Sequence, residues 1–197
     1  RMQLSSFYNP FPNLYAKTSV GYLESMFGGI GGEMLYKPFY KNWSIGGEIW
    51  RVKQREYAQR FGFLDYQTTS GFVNFNYLHS RSGIQVKLKG GRFLAKDSGL
   101  YVDLSRRFKS GMKTGVYFAK TDISREEFGE GSFDKGFYFF IPIESFFTNY
   151  SKGSTGFGLR PVTRDGAAFV YHGHDLFGVT DQGSAHSIHR DWDDLYD

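Results

Sequence analysis

The amino-acid sequence predicts an all-β fold, an antiparallel transmembrane β-barrel of about 8 to 12 strands. Three observations carry this. Apolar and polar residues alternate with a period of two along most of the 197 residues, the period of a strand and not of a helix. Aromatics make up 19% of the chain, with 21 Phe and 14 Tyr beside 25 Gly, yet mean hydropathy is −0.44; that mixture favours extended chain. The links between alternating segments are short at one end of the series and long at the other, as in outer-membrane barrels.

The clearest strand is Ile84 to Lys89, where Ile84, Val86 and Leu88 form one face and Gln85, Lys87 and Lys89 the other. Leu100, Val102 and Leu104 alternate in the same way with Tyr101, Asp103 and Ser105. Less regular alternation predicts strands at Leu14 to Leu23, Gly29 to Lys37, Trp43 to Val52, Gly71 to Leu78, Met112 to Ala119, Gly136 to Ile143, Gly156 to Val162 and Ala167 to Leu176. Charge gathers on one face: Lys17, Glu33, Lys37, Glu48, Asp103 and Lys113. Opposite lie Trp43, Ile45, Gly47 and Ile49, or Gly71, Val73, Phe75 and Tyr77.

Phe39 to Asn42, His79 to Ser82 and Lys109 to Gly111 read as short turns, and Gln54 to Thr69 and Asp122 to Asp134 as long polar loops. Tyr15, Tyr22, Tyr36, Trp43, Trp50, Phe93, Tyr101 and Tyr117 fall near strand ends and suit interfacial girdles. A soluble antiparallel sandwich, such as a carbohydrate-binding module, has the same periodicity with its apolar face turned inward. The girdles and loop lengths favour the barrel. The domain expectation is a barrel over residues 1–180 and a polar tail over 181–197, folded into the lumen or the periplasm.

No cysteine occurs, which excludes disulfides, thiolate nucleophiles and cysteine-ligated zinc. A net charge of +4 from 24 scattered Lys and Arg against 20 acids gives no basic run, so no nucleic-acid partner is expected. The longest apolar run, Gly136 to Ile143, is far short of the ~20 residues of a membrane-spanning helix. The chain opens Arg1-Met2 with no signal peptide or transit segment, and the expectation is a processed or truncated beginning.

Three stretches carry a family resemblance: Gly21 to Tyr36 (GYLESMFGGIGGEMLY), Gly91 to Gly99 (GRFLAKDSG) and Phe128 to Gly136 (FGEGSFDKG). Val52-Lys53-Gln54-Arg55 and Arg160 to Gly166 (RPVTRDG) add to it. Over residues 13–166 the chain resembles the YjbH-like exopolysaccharide proteins. The resemblance implies a lipoprotein-like outer-membrane β-barrel of a Gram-negative bacterium that assists secretion or assembly of a capsular polysaccharide or exopolysaccharide. It also implies that this chain is the C-terminal portion of a longer protein. The partners it implies are outer-membrane lipid, the polysaccharide, and other capsule-export proteins or a second barrel region of the same polypeptide.

For such a barrel the lumen-facing charges are the candidates along a polymer's path: Lys17, Glu33, Glu48, Lys87, Lys89, Asp103 and Lys113. The plainer reading is internal ion pairing that fills a narrow barrel. Arg92 and Asp97 are expected to pin a strand end by a guanidinium–carboxylate fork, and Arg164 and Asp165 to form a tight hairpin at Asp-Gly. His172 and His174, two apart on the expected last strand, share a face beside Asp175, but two ligands fall short of a metal site. No metal or cofactor is expected. An outer-membrane hydrolase using Ser184 or Ser187 with His186 or His189 is the enzymatic alternative, but no Gly-x-Ser-x-Gly elbow occurs, and the expectation is a protein that is not an enzyme.

Overall fold

The computed structural model describes residues 2–128, 133–143, 146, 153–161, 166–181, 183–190 and 192. Ten antiparallel strands follow one another as neighbours in a single up-and-down sheet. They are β1 (Met2–Phe11), β2 (Leu14–Tyr22), β3 (Phe27–Tyr36), β4 (Trp43–Arg55), β5 (Phe63–His79), β6 (Ile84–Arg92), β7 (Ser98–Arg107), β8 (Lys113–Thr121), β9 (Asp134–Pro142) and β10 (Ser154–Leu159). Three short helices complete the described structure: α1 (Arg125–Phe128), α2 (Leu176–Asp181) and α3 (Ala185–Arg190). No helix among the described residues is long and apolar enough to cross a membrane.

Register places the alternating side chains on two unlike faces. Lys17 pairs with Glu33, Glu33 with Glu48, Glu48 with Phe72, and Lys87 with Asp103, so these share one side of the sheet. That side is covered: Lys17, Glu33, Glu48 and Asp103 are all buried. The other side carries Ile45, Ile49, Val73, Phe75, Leu104, Val116, Phe118 and Phe137, all exposed, with Ile49 63% and Val73 64% accessible. A protein folded in water hides apolar side chains and shows charged ones. This sheet buries charge on one face, beside apolar side chains such as Trp50, Val52 and Phe72, and exposes a band of Ile, Val and Phe on the other. Beyond the apolar stretch, the same outer face turns polar at Arg51, Lys53, Gln67 and Thr69, where β4 and β5 approach their shared loop.

Several expectations are corrected. Ala167 to Leu176 is not a strand but an irregular segment leading into α2, whereas Met2–Phe11, read as no element, is a strand. The long loop expected from Gln54 to Thr69 shrinks to residues 56–62, because β4 and β5 extend into it. Trp50 and Phe93 are not girdle residues; both are fully buried on the charged side. The two facing layers of a sandwich are missing, since the described strands form one sheet. Among the described residues that sheet is also open, with β1 and β10 at unpaired edges instead of closing a ring.

The sheet nevertheless curls. His172 touches Lys17 on β2 and Glu48 on β4, while three residues earlier Phe169 packs on Phe72 of β5 and Tyr101 of β7. Five strand spacings between β2 and β7 would cover about 24 Å in a flat sheet. One narrow segment reaches both only if the strands bend around it.

Candidate functional site

The strand period that turns Lys17, Glu33, Glu48 and Lys89 to the same face makes their cluster unavoidable, and the register decides who meets whom. Glu33 accepts from the Lys17 ammonium at 3.4 Å, and Glu48 Oε1 accepts from Lys89 at 2.7 Å. Two ammonium groups thus neutralise two buried carboxylates, the condition for keeping such charges out of water. The Trp50 indole N–H donates to Glu48 Oε2 at 3.0 Å.

Residues 166–181 run across this face along the strands. At one end the Ala167 N–H donates to Asp97 Oδ2 at 2.9 Å, and the Leu94 N–H donates to the Ala168 carbonyl at 3.0 Å. Phe169 then packs edge-on against Phe93 and Tyr101, while Val170 joins Leu23, Trp50, Val52 and Leu94 in an apolar cluster. Midway, His172 stacks on Trp50 with ring centroids 4.3 Å apart, and its Nε2 lies 3.0 Å from Glu48 Oε2. The carboxylate accepts only, so Nε2 carries the proton and Nδ1 takes a hydrogen bond from Lys17 at 2.8 Å. Lys17 also donates to the carbonyls of His172 and His174, at 3.3 and 2.7 Å. The Leu176 N–H donates to Glu33 at 3.3 Å, and Asp181 accepts from Lys37 at 3.0 Å near the opposite end. The protein's own segment therefore fills much of the curled face, held by charge-assisted bonds along its length.

Glu33, Glu48 and His172 place ligand-type atoms within 4.8 Å of one another. Lys17 and Lys89 already serve these groups, providing the positive charge that a bound cation would bring. The arrangement is a closed ion-pair network.

The sequence-derived candidates separate into two sets. Lys17, Glu33, Glu48 and Lys89 join the network. Toward β6–β9, Lys87 rests its ammonium 4.7 Å from the Phe177 ring centroid and Lys113 lies 5.8 Å from that of Tyr138; no ion pair among the described residues includes either. Asp103 accepts from Tyr138 at 2.8 Å and from Tyr101 at 3.4 Å through Oδ2, while its buried Oδ1 has no hydrogen-bond partner among the described residues. The Arg92–Asp97 fork does not form: Arg92 is exposed, and Asp97 instead receives the Ala167 N–H. Arg164 and Asp165 lie outside the described residues. His174 is exposed and parts from the buried His172 because the backbone there is not extended in a strand. Ser184 bonds Ser187 and the Asp181 carbonyl at the start of α3, a turn arrangement.

Sequence reasoning missed Trp50 as an interior residue and His172 as the hub. The signal for Trp50 was present, since it lies two residues beyond Glu48 and so shares its face. His172 had none beyond its neighbours, because its partners lie 124 and 155 residues away.

Comparison with known proteins agrees with the motifs. The chain is 34% identical over 187 residues to a protein of Escherichia coli (strain K12) described as "Uncharacterized lipoprotein YjbH". That alignment takes in 93% of this chain and 27% of the relative, so the chain spans about a quarter of its relative's length. No solved structure matches. A family model described as "Exopolysaccharide biosynthesis protein YbjH" matches residues 1–182, and the chain belongs to that YjbH family.

Proposed function

We propose that this chain is a β-barrel element of the Gram-negative outer membrane that assists secretion or assembly of an exopolysaccharide without catalysing a reaction. The observation that carries this is the inverted sheet, with buried charge on one face and exposed Ile, Val and Phe on the other. Hydrocarbon favours that distribution and water disfavours it. Lipid also does not tolerate open strand edges, so β1 and β10 would be paired there, with each other or with further strands. The family description supports the exopolysaccharide pathway, and the lipoprotein name of the relative supports the cell envelope. Because residues 166–181 occupy the curled face, the element acts as a plugged scaffold or assembly partner, not as an open pore. Polymer contact then falls to the interior cations Lys87 and Lys113, which form no ion pair among the described residues.

The test is surface polysaccharide per folded protein in cells carrying Lys87→Gln together with Lys113→Gln. The expected result is a lowered ratio with folding intact, since neither lysine holds a carboxylate. An unchanged ratio removes the residue-level support for the reading.

A further inference from the structure

At the end of the sheet where α2 and α3 lie, a cavity of about 190 Å³ opens between them, the turn joining β3 to β4, and the adjoining ends of β4, β5 and β6. It is smaller than the ~300 Å³ at which sites for drug-sized ligands begin, a size suited to one ring. Its floor is the polar face of the sheet: Asn76 and Gln85 point the same way as Lys87 and Glu48 by register. Its mouth carries Phe39 and Tyr40, whose rings meet edge to face at 4.9 Å. Tyr40 is 85% accessible.

The hydrogen-bonding capacity of this lining is only partly used. The Asn76 amide N–H donates to Ser44, which leaves its carbonyl available. Gln85 makes no side-chain hydrogen bond with a described residue, and among the described residues the Asp181 carboxylate engages Lys37 through Oδ1 and leaves Oδ2 without a hydrogen bond. Planar amides and a carboxylate each bridge neighbouring hydroxyls of a sugar, and an exposed aromatic ring covers a sugar's C–H face. A lipid tail would find too many polar groups here.

We propose that this cavity is a subsite for a single hexose unit of a polysaccharide, with Gln85, Asn76 and Asp181 reading hydroxyls and Tyr40 stacking on the ring. The proposal rests on the exopolysaccharide reading for its ligand class. It adds a place for the sugar at the sheet's rim, distinct from the lysines within.

The experiment titrates the folded protein in detergent with glucose, galactose and glucuronate, following saturation transfer to the sugar protons. Saturable millimolar binding of at least one is expected. Tyr40→Ala and Gln85→Ala should each weaken it about 5-fold. Arg51→Gln, on the outer face toward the other end of the sheet, should bind as the parent does. Tyr40 is exposed enough that its variant folds, so loss of binding there reads the site and not the fold. No saturable binding of any of the three, or parental affinity in both variants, overturns the subsite. Its failure is separable from that of the function: absent sugar binding with polymer still lowered by the Lys87/Lys113 double variant removes only the subsite, and the converse removes only the residue-level support for the scaffold reading.

Discussion

The Lys17 ammonium lies 2.8 Å from His172 Nδ1 although 155 residues separate them. The contact fixes the imidazole so that it donates to Glu48 at 3.0 Å, and it ties the segment that follows the last strand to the second strand of the sheet. Lys17 is 1% exposed and has four acceptors around it, two of them main-chain carbonyls of the segment.

Replacing Lys17 with Met should therefore be costly. It leaves the buried Glu33 without its cation and the His172 and His174 carbonyls without a donor, a loss of about 3 to 5 kcal/mol. The denaturant midpoint of the folded protein in detergent checks this. A midpoint within error of the parent would mean that the network does not hold the segment.

His172→Ala should act on the segment more than on the sheet. It removes the stack on Trp50, worth about 0.5 to 1.5 kcal/mol, and a charged hydrogen bond worth about 1.5 to 3 kcal/mol. Limited proteolysis should cut between Gly166 and Asp181 well before it cuts the strands. Parental cleavage kinetics would argue that other contacts suffice.

Val73→Arg separates the two possible surroundings of the outer face. An exposed valine of a protein in water tolerates arginine within about 0.5 kcal/mol, whereas a lipid-facing one costs about 2 to 4 kcal/mol near the membrane midplane. Heat-modifiable mobility after membrane assembly should fall for Val73→Arg and stay parental for Lys87→Gln. Equal assembly of both variants would count against a membrane-facing sheet.

Gly31 makes room for Trp50. A Cβ there would stand 2.4 Å from the indole and 2.3 Å from the Ile49 carbonyl, whereas at Gly90 the nearest atom is 3.9 Å away. Gly31→Ala should displace the indole from His172, at a cost of about 1 to 3 kcal/mol, and shift tryptophan emission. Gly90→Ala should do neither, and identical spectra in both variants would show that the sheet yields freely around Trp50.

The period-two alternation made the two faces legible. Ile45, Ile49 and Val73 were assigned opposite Lys17, Glu33 and Glu48 because strand geometry leaves no other choice. Trp50 departs from the girdle expectation because its parity with Glu48 turns it to the charged face. Residues 167–176 show the alternation of any extended chain, but a strand needs a ladder, and here the Ala167 N–H goes to Asp97 and the His172 carbonyl accepts from Lys17. β1 is hidden in the sequence by Pro10, which an edge strand accommodates, with the register shifting between Tyr8 and Phe11. The ion-pair partners were illegible for another reason: sequence names the charges on a face but not the curl that brings them together.

The placement of residues 166–181 after all ten strands has a kinetic consequence. Nine hairpins form from local neighbours, but the charged face stays bare until the segment arrives, and its contacts with Lys17 and Glu48 are among the longest in sequence. Loop-closure entropy makes such contacts slow and late. A nascent sheet with its carboxylates and ammoniums still uncovered favours water over hydrocarbon, so in the membrane setting proposed above the docking of His172 would have to precede burial of the sheet in lipid.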